Sequence, residues 1–127
     1  MNIYSKKVSE LNEANFRNKY QIDRVISAKN YIDKNYAENF SLDMIANAVH
    51  SSKFHLNREF KRLYGMTPSK YLIEKRIQEA KKILTNNGTV SDACFSVGYE
   101  SLSTFSILFR RMTGKNAESF KSARMKK

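Results

Sequence analysis

From Arg24 to Tyr36 the apolar positions Val25, Ala28, Ile32 and Tyr36 recur every three or four residues on one face, which predicts a helix. Leu42, Ile45, Ala46 and Val49 then follow the i, i+3, i+4, i+7 spacing of a short amphipathic helix. Ser41 is placed to cap it, and Asp43 suits its positive end. Ser51-Ser52 interrupts the pattern and caps the next predicted helix. There Leu56, Phe60 and Leu63 point one way, Lys53, Asn57, Arg58, Lys61 and Arg62 lie on the other side, and Gly65 is the stop. Thr67 as N-cap and Pro68 at the first helical position restart the chain. Ile73, Ile77, Ala80 and Leu84 give the inward stripe of a long helix that Asn87-Gly88 ends. Residues 1–20 are polar and weakly patterned, an arm or a loose helix.

After Gly88 the earlier pattern returns. Val90, Ala93, Cys94 and Val97 repeat Leu42, Ile45, Ala46 and Val49 at an offset of 48 residues. The offset becomes 49 after the turn, so that Leu56 matches Phe105, Phe60-Lys61-Arg62 matches Phe109-Arg110-Arg111, Gly65 matches Gly114 and Tyr71 matches Phe120. The second long helix of this copy runs from Ser101 to Met112. Two copies are too few for a solenoid. Each unit is a short helix, a tight turn and a longer helix with a cationic outer face, the pattern of a helix-turn-helix. Close crossing of the two helices needs a small residue, supplied by Ala46 and by Cys94. The turn favours a residue of positive φ, which Gly98 suits fully and His50 less well.

The expected architecture is all-α, two helix-turn-helix subdomains joined by a long central helix, about seven helices in all. Its segments are an N-terminal arm (1–21), a first subdomain (22–66), a linker helix (67–88), a second subdomain (89–124) and a basic tail (125–127). A linker over residues 68–87 would be ~30 Å long at ~1.5 Å per residue, against ~34 Å between successive major grooves on one face of B-DNA. Two unequal recognition helices held at that spacing imply an asymmetric site.

Composition narrows the function. With 23 Lys and Arg against 12 acids the net charge is +11, which favours anionic partners, nucleic acid first among them. No segment approaches the roughly 18 apolar residues of a membrane span, and the first residues carry no apolar run of a signal peptide. The single cysteine excludes an internal disulfide and a multi-cysteine zinc site, so a reducing, cytoplasmic setting is expected. Cys94, on the apolar face of a short helix, reads as a small core residue rather than a reactive thiol. His50 and His55 lack companions at metal-ligand spacing. No phosphate loop or triad pattern occurs, so neither an enzyme nor a cofactor is expected.

In the first recognition helix the expected DNA contacts are Ser52, Lys53, His55, Asn57, Arg58, Lys61 and Arg62. Asn57 and Arg58 are the base readers, because Asn pairs bidentately with adenine and Arg with guanine; Lys61 and Arg62 hold phosphates. Phe54 stands equally for packing or for DNA. In the second helix Ser101, Leu102, Ser103, Thr104, Ser106 and Ile107 face DNA, with Leu102 and Ile107 placed for thymine methyls and Arg110 and Arg111 for phosphates. Ser41 and the residues near Thr89 head helices whose N-termini suit a phosphate.

The stretch Ser41-Leu42-Asp43-Met44-Ile45-Ala46 with Lys53 through Lys61, the run Gly65-Met66-Thr67-Pro68-Ser69-Lys70-Tyr71-Leu72 with Arg76 and Ala80, and Val97-Gly98-Tyr99-Glu100-Ser101 with Phe105-Ser106, Phe109-Arg110-Arg111 and Gly114 together resemble the DNA-binding region of AraC/XylS regulators. The resemblance covers roughly residues 22–124. It implies a transcription regulator without a sensor domain, like the short stand-alone members. Such a regulator binds double-stranded DNA as a monomer and acts mainly as an activator through contact with RNA polymerase. This chain departs from the family pattern in Gly114-Lys115-Asn116-Ala117, where Pro is usual after the Gly, in Cys94 for Ala, and in Ile107 for a basic or polar residue. The apolar Leu102, Ile107 and Leu108 keep open a second reading, a protein-interaction module that modulates another regulator. A third is a cationic binder that follows charge and ignores sequence.

Overall fold

The computed structural model describes residues 3–125, with side chains for residues 18–121. Among these residues there are seven helices and no strand: α1 (Ile3–Asn35), α2 (Leu42–Ala48), α3 (Lys53–Tyr64), α4 (Pro68–Thr85), α5 (Val90–Ser96), α6 (Leu102–Thr113) and α7 (Ala117–Met125). The all-α, two-unit expectation holds. The division at residues 21 and 22 does not coincide with a structural break, since it falls inside α1. The expected linker helix is present as α4, and from Ser69 onward it belongs to the second compact unit. Residues 126 and 127 of the expected basic tail lie outside the described residues.

The first unit comprises α1 through Tyr31 together with Ser41–Pro68. Its apolar residues Val25, Ala28, Ile45, Ala46, Val49, Leu56 and Phe60 are all buried. Ser41 and Ser52 start α2 and α3 by accepting from the amides of Met44 (3.2 Å) and His55 (3.1 Å), satisfying donors that a helix start leaves open. Gly65 closes α3 at φ 77°, in the left-handed region where only glycine is unstrained. Leu63 departs from the expected inward stripe. It is 46% exposed and borders a cleft with Gln21, Ile22, Val25, Glu59 and Arg62.

The second unit comprises Ile32–Phe40 and Ser69 onward. Its core gathers Ile77, Ala80 and Leu84 from α4, Ala93 and Cys94 from α5, Val97 at the end of α5, Phe105 and Phe109 from α6, and Ala117. The segment before the first helix-turn-helix is fastened into this unit by two side chains of α4. Tyr71 donates to Asp33 Oδ1 at 2.6 Å, and Arg76 donates to the carbonyls of Tyr36 (2.6 Å) and Glu38 (3.0 Å). The Arg76 guanidinium also lies 4.9 Å from the centre of the Tyr99 ring.

The two units agree position by position. Ile45 and Ala93, Ala46 and Cys94, Val49 and Val97, Leu56 and Phe105, Phe60 and Phe109 are buried pairs under the 48- and 49-residue offsets. Positive φ occurs where expected, at His50 (57°) and Gly98 (104°) in the turns, and at Gly65 and Gly114 (both 77°) at the helix ends. The missing family proline is also explained. Ala117, the counterpart of Pro68, begins α7 and is buried as Pro68 is. Asn116 caps α7 through its side chain, accepting from Ser119 N at 2.6 Å, so the helix starts without a pre-set φ.

Candidate nucleic-acid interface

On an α-helix, residues three and four apart line one face. In α3 the burial of Leu56 and Phe60 turns Lys53, Phe54, Arg58 and Lys61 outward, and all four are exposed. Arg62 is exposed at the edge, and its guanidinium is engaged by Glu59 Oε2 at 2.7 Å (Nη2) and 2.9 Å (Nε). Arg58 Nη2 donates to Nδ1 of half-buried His55 at 3.2 Å, which helps orient Arg58. Lys53 Nζ lies 4.0 Å from Asp43 Oδ1 and 5.4 Å from the centre of the Phe54 ring.

Two placements correct the sequence expectations. Asn57 is only half exposed, and its Oδ1 is shut off from solvent with no hydrogen-bond partner. Bidentate pairing with adenine therefore requires the amide to swing out. An unpaired buried carbonyl costs about 1–3 kcal/mol, which favours that movement. Phe54, which stood between packing and DNA, is 74% exposed in the first turn of α3, which counts against core packing. Its register partner Ser103 is exposed too.

In α6 the buried pair Phe105 and Phe109 turns Leu102, Ser103, Ser106, Ile107 and Arg110 outward; Thr104 and Arg111 are exposed at the edges. Ser101 heads the helix, its Oγ accepting from Thr104 N at 3.3 Å. Ser52 and Ser101 are thus N-caps whose hydroxyl oxygens already hold a backbone amide. No acid occupies the first turn of α3 or α6. In α2 and α5 the first turn holds Asp43 and Asp92. Asp92 completes a capping box, accepting from Thr89 N at 3.2 Å while Thr89 Oγ1 accepts from Asp92 N at 2.9 Å. A carboxylate there supplies the negative charge a phosphate would bring and repels a second one, which counts against the phosphate reading near Thr89.

Cys94 sits in the helix crossing, fully buried, its Sγ 3.6 Å from the Ser101 carbonyl and 3.8 Å from that of Tyr99. Burial pushes the thiol pKa up, so the reactive thiolate is scarce. Alkylation of the native chain by iodoacetamide at neutral pH should therefore be at least tenfold slower than that of the urea-unfolded chain. Equal rates, read by mass spectrometry, would refute the core assignment. Among the described residues no group of His, Cys, Asp and Glu could hold a metal ion, and no helix is long and apolar enough to cross a membrane.

Paired short and long helices with matched buried registers and glycine-closed ends define a double helix-turn-helix domain. A family model described as a helix-turn-helix domain matches residues 45–123. Over 92 residues the chain is 34% identical to the bifunctional transcriptional activator/DNA repair enzyme AdaA of Bacillus subtilis strain 168, covering 72% of this chain and 44% of that protein. A crystal structure of an AraC-type transcriptional regulator from Chromobacterium violaceum matches with a TM-score of 0.73 at 27% identity, over 80% of this chain and 92% of that one. The DNA-binding domain of AdpA, solved in complex with a target DNA, matches with a TM-score of 0.74 at 23% identity, over 78% of this chain and 90% of that one. The chain belongs to the AraC-type helix-turn-helix family of transcription regulators. It spans less than half the length of AdaA.

Proposed function

We propose that the chain is a sequence-specific, non-enzymatic transcription regulator of the cytoplasm that lays α3 and α6 into adjacent major grooves of an asymmetric DNA site. The observation that supports this most is the repeat itself. Two helix-turn-helix units share one buried register yet present different outward side chains, Lys53, Arg58 and Lys61 in one and Leu102, Ile107 and Arg110 in the other. A symmetric site would need like faces. A net charge of +11 supplies the attraction to phosphate. Activation through contact with RNA polymerase, by a monomer on DNA, is the reading the family likeness favours, and AdaA is itself named a transcriptional activator.

Selection of bound duplexes from a random pool at physiological salt tests the proposal. Two unlike half-elements about one helical turn apart are expected; binding with no enriched sequence would overturn it. On the selected site Arg58→Ala should cost about 1–3 kcal/mol, or roughly 5- to 150-fold, and relax preference at one base pair. Lys61→Ala should instead weaken all sequences alike and lower the salt slope by about one. A uniform loss in Arg58→Ala, seen in a fluorescence-anisotropy titration over single-base variants, would reassign Arg58 to phosphate.

A further inference from the structure

We propose that α6 reads thymine by its 5-methyl group, with Ile107 as the specificity-determining side chain and Leu102 as its companion. The inference rests on the regulator reading above and deepens it.

Under the 49-residue offset the outward positions of the two recognition helices correspond one to one. Lys53 becomes Leu102, Phe54 becomes Ser103, Asn57 becomes Ser106, Arg58 becomes Ile107 and Lys61 becomes Arg110. Two of the three cations on the α3 face are replaced by aliphatic side chains, and the third is kept. Neither replacement has been drawn into the core. Leu102 is 42% and Ile107 60% exposed, on a helix whose Phe105 and Phe109 are fully buried. The face is otherwise small and uncharged until Arg110 and Arg111 in the last turn.

This combination suits one base. In the major groove guanine presents two acceptors at the edge an arginine would reach, adenine an acceptor and a donor, and cytosine a donor; thymine presents an acceptor and a methyl. Isoleucine offers no donor or acceptor. Against G, A or C it would strip water from polar groups and return no hydrogen bond. Against thymine it buries a methyl group that was in water. Ser103, one turn before Ile107, is small enough to let the helix approach and tolerates either donor or acceptor. Arg110 and Arg111 are placed to fix the helix to the backbone. At the register position where α3 carries an arginine fit for guanine, α6 carries a group fit for the thymine methyl.

The test uses the full chain and the duplex obtained by selection. Each thymine of the half-element whose recovery depends on α6 is replaced in turn by deoxyuridine, which lacks only the methyl. Burial of one such group corresponds to a loss of about fourfold in affinity at the position under Ile107, with less than twofold change for replacements in the other half-element. Ile107→Ala should lose the same factor on thymine and become indifferent to the methyl, and Ile107→Arg should move the preference at that position toward guanine. Far-UV circular dichroism checks that these exposed substitutions leave the helices intact. If deoxyuridine is tolerated throughout while both half-elements remain enriched, the methyl proposal falls and the regulator reading stands. If only one half-element is enriched and Ile107→Ala binds as before, the proposal also falls, and the apolar face is left as a protein-contact surface. Binding without any enriched element overturns the regulator reading and this inference together.

Discussion

Gly98→Ala should destabilise the second unit by about 2–5 kcal/mol, because it adds backbone strain and a steric clash at one position. The turn holds Gly98 at φ 104°, where an L side chain is strained in any surroundings. An added Cβ would also come within 2.8 Å of the Ala37 carbonyl oxygen and 3.0 Å of Arg76 Nη2. The first is backbone, and it cannot retreat freely. Arg76 fixes the carbonyls on both sides of it, at Tyr36 and Glu38. Gly114→Ala is the matched control within the second unit, and Gly65→Ala is its counterpart in the first. Both have φ 77° with nothing within 4 Å of the added atom, so each should cost only the left-handed backbone term of about 1–2 kcal/mol. Urea titration followed by alkylation of Cys94 reports the second unit alone, because Cys94 is the sole cysteine and is buried there. A Gly98 variant no weaker than the Gly114 variant would show that the Ala37 segment yields.

Phe109→Ala should cost about 3–5 kcal/mol, a large part of the 5–15 kcal/mol total stability usual for a domain. The ring is fully buried and lies 5.7 Å from both Phe105 and Phe120, meeting Phe120 edge-on at 74°. Its removal takes away the contact that joins α6 to α7 and leaves a hole between rigid rings. Phe109→Leu keeps most of the volume and should cost under about 1.5 kcal/mol. The loss should also divide the DNA footprint, with protection kept over the α3 half-element and lost over the other. Uniform loss of protection would mean that the units do not unfold separately.

The helix-turn-helix units, their caps and their turns were legible because each rests on local chemistry. Ser41, Ser52, Gly65 and Gly114 act through hydrogen bonds and backbone φ within a few residues, and the repeat tested every assignment twice. Helix α1 was legible only in its second half. Before Arg24 no cap or apolar period marks where it begins, and the boundary at residues 21 and 22 was drawn where the hydrophobic pattern faded. The inward placing of Leu63 failed for a related reason. Helical spacing says which side a residue is on but not whether a neighbour covers it, and here the cleft beside Ile22 leaves it 46% exposed. In the candidate interface, residue identity and register carried most of the outward set. The hidden Oδ1 of Asn57, the hold of Glu59 on Arg62 and that of His55 on Arg58 depend on side-chain torsions that a sequence does not contain.

The fastening of Asp33, Tyr36 and Glu38 by Tyr71 and Arg76 has a consequence for how the chain is made. Those partners are separated by 38 to 40 residues. Helices α2 and α3 of the first helix-turn-helix lie between them. During synthesis at about 5–20 residues per second, residues 32–40 emerge, wait several seconds, and find their place only when α4 has followed the first unit out. The two units are therefore interleaved along the chain, each built from two separated segments, and the second is complete only when a loop of 38 to 40 residues has been closed at an entropic cost.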